Sequence, residues 1–101
     1  MNRPAAVRLS RLARADILDI WTYVAADNLI AADRVLERIE RIFESIAEHS
    51  ELGRERSEIM EGLRSFAVMS WVIFYRINMN SESVIIARVL HGARDLDEFD
   101  Y

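Results

Sequence analysis

A chain of 101 residues with 51% apolar and 30% charged side chains is sized for one globular domain spanning residues 1–101. It has no cysteine, which excludes a disulfide framework, a thiolate metal site and a thiol nucleophile; its two histidines, His49 and His91, have no carboxylate at ligand spacing, so no metal or cofactor is expected. All 13 basic residues are arginine and are outnumbered by 17 acids, and the net charge of −4 argues against binding bulk nucleic acid, which calls for a basic excess.

The first element is a short alternating stretch, Ala6-Val7-Arg8-Leu9, which reads as an edge strand after Pro4. Ser10 follows as a helix N-cap, and from Leu12 to Ala26 the apolar positions Ile17, Ile20, Trp21 and Val24 recur at helical spacing. Asp27-Asn28 interrupts that helix. Asn28 then caps a stronger pattern through Ala32, Val35, Leu36, Ile39, Ile42, Phe43 and Ile46. Two helices joined by so short a link fold back as an antiparallel hairpin.

After Gly53 the period changes. A charged loop, RERSEIMEG, closes at Gly62, and the segments Leu63 to Val68, Trp71 to Ile77 and Val84 to Leu90 are rich in β-branched and aromatic residues. The short connections at Met69-Ser70 and at Asn78 to Glu82 predict an antiparallel meander, with WVIFY, apolar on both faces, as its central strand. A two-residue turn at Met69-Ser70 places Arg64 opposite Tyr75 and Arg76 on the reverse face, whereas a slip of one residue inverts that arrangement. The fold class is therefore α+β, a strand and a helix hairpin on an antiparallel sheet, ending in a short tail.

The longest apolar run, Trp71 to Tyr75, falls far short of the roughly 20 residues that span a bilayer, and no apolar h-region follows Met1. A soluble cytoplasmic protein with no membrane partner is expected. Charge is unevenly placed: Arg3, Arg8, Arg11 and Arg14 occur near the N-terminus without an acid, while Asp95, Asp97, Glu98 and Asp100 crowd the C-terminus beside Arg94. Matching patches on a protein partner and ordinary solvated ends both produce such a pattern.

Specific words accompany this order of elements: ARADILDIWTYVA (13–25), AADRVLERIERIFESIAEHSELGRER (31–56), GLRSF (62–66), VIFYRI (72–77) and ARVLHGARDLDEF (87–99). Together they cover almost the whole chain, which resembles the ParE branch of the RelE/ParE toxins of type II toxin–antitoxin modules. That resemblance implies a β-α-α-β-β-β fold and a growth-inhibiting toxin without catalytic residues that poisons DNA gyrase and is neutralised by a ParD-like antitoxin. It also implies no sequence-specific nucleic-acid binding by the toxin alone. One departure concerns the first β-turn, where the family commonly has a proline after RSF and a glycine with a basic residue; here Ala67, Met69 and Ser70 stand instead, and the turn loses a positive charge.

The candidate residues for binding target or antitoxin are Arg64, Arg76, Arg88 and His91 on the strands, with Arg94, Phe99 and Tyr101 in the tail. Two other readings stay open. In the sister RelE branch, ribosome-dependent cleavage of messenger RNA would use the arginines as phosphate clamps, His91 as the acid, and a base drawn from Glu55, Glu58 or Glu61. In a non-toxic antitoxin-binding module, none of these groups does chemistry. His91 at a strand end is also a common hydrogen-bonded hinge residue, and an arginine beside Tyr75 or Trp71 is ordinary sheet chemistry.

Overall fold

The computed structural model describes residues 6–80 and 82–92. The chain runs β1 (Ala6–Leu9), α1 (Arg11–Ala25), α2 (Leu29–Glu48), β2 (Arg54–Glu55), β3 (Arg64–Val68), β4 (Trp71–Asn78) and β5 (Ser83–His91). The strands form one five-stranded mixed sheet in the order β1-β5-β4-β3-β2. β1 is an edge strand running parallel to β5, and the other neighbours are antiparallel. The WVIFY segment lies on the middle strand, as its two-faced apolarity predicts.

Both helices begin at the residues whose side chains can replace a missing helical acceptor. Ser10 Oγ accepts from Ala13 N and Asn28 Oδ1 accepts from Ala31 N, each at 3.0 Å. The link between the helices is too short for anything but a reversal, and Trp21 clasps the hairpin by donating Nε1–H to Asp33 Oδ1 at 3.0 Å. The hairpin packs its apolar face on one side of the sheet. There Ile20, Ile39, Phe43 and Ile46 meet Val68, Ile73, Tyr75, Val84, Ile86 and Val89. Each such buried side chain contributes about 1.5–3 kcal/mol of transfer free energy, so this layer is the main source of stability.

The other sheet face is covered differently. Leu63, Phe74, Ala87 and Leu90 form a smaller core under Ile59 and Met60. The charged stretch after Gly53 is therefore more than the loop its composition predicts: it contributes the two-residue strand β2 and then folds an apolar pair back across the sheet. Two residues are too few to show a period, and both are charged, so no pattern marked them as a strand.

The β3–β4 turn has the predicted two residues. Val68 pairs with Trp71, which puts Arg64 opposite Tyr75. Met69 takes the glycine-like conformation there, with φ 54°. A side chain with a Cβ adopts that region at a cost of about 1–2 kcal/mol. The turn keeps the geometry that a glycine would take without strain.

Candidate functional site

The polar residues that matter most gather where β1 ends. β1 pairs with β5 as far as Leu9 opposite Ile86, after which Ser10 N donates to Ile86 O at 3.0 Å. Beyond that point β5 has no strand on this edge among the described residues. It also carries a bulge, since Tyr75 faces Ile86 while Phe74 faces Arg88, leaving Ala87 as the extra residue.

Helix α1 supplies what the missing strand would have given. Ser10 Oγ donates to Ala87 O at 2.7 Å, and the Asp16 carboxylate accepts the backbone N–H of Val89 at 3.0 Å. That carboxylate also takes Arg88 in a fork, Nε to Oδ2 at 2.8 Å and Nη2 to Oδ1 at 3.0 Å. The two side chains are only 15% and 10% exposed. In so sheltered a setting the bidentate pair fixes α1 on the end of the sheet. Sequence periodicity gave no sign of this, because Asp16 reads as a polar position on an amphipathic helix.

Beside this pair a cleft of about 190 Å3 opens between α1 and the ends of β4 and β5, lined by Asp16, Asp19, Ile20, Tyr23, Trp71 and His91 among others. His91 pairs across the sheet with Trp71, and the rings meet edge to face with centroids 6.3 Å apart. The strand-end histidine is thus seated on an aromatic wall.

Arg64 serves a second junction, the segment that follows α2. Its Nη1 donates to Gly53 O at 2.7 Å and, more weakly, to Glu51 O at 3.4 Å, while Nη2 lies 3.7 Å from Glu55 Oε1. Opposite it, Tyr75 donates its hydroxyl to Ser50 O and accepts from Gly53 N, both at 2.7 Å. Burial raises the Tyr75 phenol above its ordinary value, only partly offset by the Gly53 hydrogen bond and the nearby Arg64 charge.

The strand residues named from the sequence therefore do not converge. Arg64 stands opposite Tyr75 and His91 opposite Trp71, on different sides of β4 and four residues apart along it, a separation of about 13 Å or more. Arg76 points to the reverse face and is exposed. Of the loop acids, Glu55 lies by Arg64 and Glu58 lies 2.9 Å from Arg56. Among the described residues, no three His, Asp or Glu side chains are grouped to hold a metal ion. Arg94, Phe99 and Tyr101 lie outside the described residues.

Comparison with known proteins agrees with the fold. The family model for the ParE toxin of type II toxin–antitoxin system, parDE, matches residues 7–96. Among curated proteins of Caulobacter vibrioides, the chain is 35% identical to Toxin ParE3, covering 86% of each chain. It is 42% identical to Toxin ParE1 over 83% of this chain and 85% of that protein, and 34% identical to Toxin RelE3 over 86% and 94%. Among solved structures, a chain of the chromosomal ParDE TA system from P. aeruginosa superposes with a TM-score of 0.71 at 18% identity, covering 86% of this chain and 95% of that one. A chain of the toxin–antitoxin complex RelBE2 from Mycobacterium tuberculosis gives 0.64 at 23% identity, over 88% and 99%.

Proposed function

The chain belongs to the ParE toxin family of type II toxin–antitoxin systems, and from that premise we propose that it arrests growth by poisoning DNA gyrase and is silenced by a ParD-like antitoxin. In this reading residues 1–101 act as one cytoplasmic toxin domain that grips its target and supplies no catalytic group. Among the described residues no helix is long and apolar enough to cross a membrane.

One observation carries the preference for gripping over cutting: two of the three strand arginines that a phosphate would need are already engaged by the protein itself, and the third, Arg76, points to the reverse face. Arg88 is forked onto Asp16, and Arg64 is tied to the Gly53 and Glu51 carbonyls. Cleavage of RNA requires a base, an acid and free cations around one phosphate. Here His91 and Arg64 stand at different ends of the sheet. The contacts to target and antitoxin are assigned to Arg76, Arg94, Phe99 and Tyr101, whereas Arg64, Arg88 and His91 brace the junctions of the sheet.

The similarity to Toxin RelE3 favours a second reading, a ribosome-dependent endoribonuclease. Growth tests separate the toxin from an inert module: induced expression of the chain is expected to stop colony formation, and co-expression of a cognate ParD-like antitoxin is expected to restore it. Unimpaired growth at confirmed expression would contradict a toxin of either kind.

A further inference from the structure

The face of the sheet turned away from α1 and α2 carries a row that the sequence did not single out. Val7 and Leu9 pack into the main core, so Arg8 between them leaves the opposite face. Ile85 lies between the core residues Val84 and Ile86, and Arg76 follows the core residue Tyr75, so both share that face with Arg8. Register aligns all three. Arg8 is the partner of Ile85 on one side and Arg76 is its partner on the other. With adjacent strands about 4.8 Å apart, the two arginines stand roughly 10 Å apart, with an isoleucine between them.

Both arginines are exposed and Ile85 is half-buried. Neither arginine has a hydrogen bond or ion pair among the described residues. The next row on that face, Ala6, Ser83 and Asn78, carries no charge. Ile59 and Met60 cover the face only over Phe74 and its neighbours, beyond the bulge. An acidic chain thus exposes two solvated cations flanking an apolar side chain, and no acid among the described residues answers them.

We propose that this row receives an acidic helical segment of the antitoxin, with one carboxylate on Arg8, one on Arg76 and an apolar side chain between them on Ile85. The inference rests on the antitoxin reading given above and names the surface and the chemistry of that contact. Guanidinium groups match carboxylates in planar, forked geometry. On a helix, acids seven residues apart share one face and are about 10.5 Å apart, close to the spacing of the row, and the residues three and four after the first acid lie between them. An extended strand offers same-face residues only about 7 Å apart. Nucleic acid fits less well, because two cations on a body of net charge −4 neutralise too few phosphates to overcome its repulsion.

The test is calorimetric titration of the cognate ParD-like antitoxin into the wild type and into Arg8→Glu, Arg76→Glu, Arg8→Lys, Arg76→Lys and, as a control on the helix layer, Arg34→Glu. Thermal melts verify that every variant is folded. Each Glu variant is expected to bind about tenfold or more weakly, with the Lys variants recovering most of the affinity and the control unchanged. Wild-type affinity in both Glu variants would overturn the row while leaving the antitoxin reading intact. Equal weakening by Arg34→Glu would overturn it as well, by reducing the effect to overall charge. A wild type that does not bind the antitoxin would remove the reading and the inference together. Displacement of the antitoxin from the wild type, but not from Arg8→Glu, by a single-stranded RNA oligonucleotide would reassign the row to nucleic acid.

Discussion

Asp16→Ala is expected to lower the unfolding free energy by about 3–5 kcal/mol, read by urea denaturation, because it leaves Arg88 charged in a site where its side chain is only 15% exposed. The loss exceeds that of an ordinary ion pair for a structural reason. The same carboxylate accepts the Val89 N–H, so the variant also leaves a buried backbone donor unanswered just where β1 has ended. A double variant, Asp16→Leu with Arg88→Met, is expected to regain much of the loss, since an apolar pair of similar volume has no charge to desolvate. A single-variant loss below about 1 kcal/mol would mean that water reaches Arg88 freely.

Gly53→Ala is expected to destabilise by about 1–3 kcal/mol through overpacking, because a Cβ at that position would fall 2.6 Å from the Tyr75 ring and hydroxyl, and Tyr75 is fully buried. Tyr75→Phe probes the same junction from the other side. It removes the group that donates to Ser50 O and accepts from Gly53 N, at an expected cost of about 1–3 kcal/mol. The phenol's raised pKa gives this variant a signature in pH. A group titrating higher in the folded state than in the unfolded state stabilises the fold fully below the unfolded value, near 10.0, and the contribution fades as pH rises through the folded one. The gap in stability between wild type and Tyr75→Phe is therefore expected to narrow above pH 10. A gap constant from pH 8 to pH 11 would show that the hydroxyl is not sheltered.

The two junctions differ in how readable they were. The Arg64–Tyr75 pairing was one of two arrangements open in the sequence, the one that a two-residue turn at Met69-Ser70 gives and a slip of one residue inverts, and the fold adopts it. Both helix caps were visible, because Ser10 and Asn28 each precede an apolar period that needs an acceptor at its start. The Asp16–Arg88 clasp was not visible. It spans residues 72 apart in the chain and depends on a bulge at Ala87, and neither leaves a local pattern. The parallel pairing of β1 with β5 was hidden likewise, since an edge strand of four residues says nothing about which strand it will join.

This difference bears on the candidate residues. Arg64, Arg76 and Arg88 look alike in sequence, each an arginine within an apolar strand. The fold gives them three fates: a carbonyl tether, an open face and a carboxylate fork. Arg8, which lay outside the candidate set, acquires a partner position with Arg76 only through two registers read across β5. What a charge can do in this protein is set by which strands flank it.

The most direct test of the central claim, a toxin that acts by gripping, uses the purified chain in two assays run side by side. One follows supercoiling of relaxed plasmid by DNA gyrase with ATP, and the other follows cleavage of a messenger RNA during cell-free translation. Equimolar chain is expected to suppress supercoiling and to accumulate gyrase-bound cleaved DNA, with the translated message left whole. Cleavage of the message with supercoiling unaffected would rule out a toxin that acts by gripping gyrase.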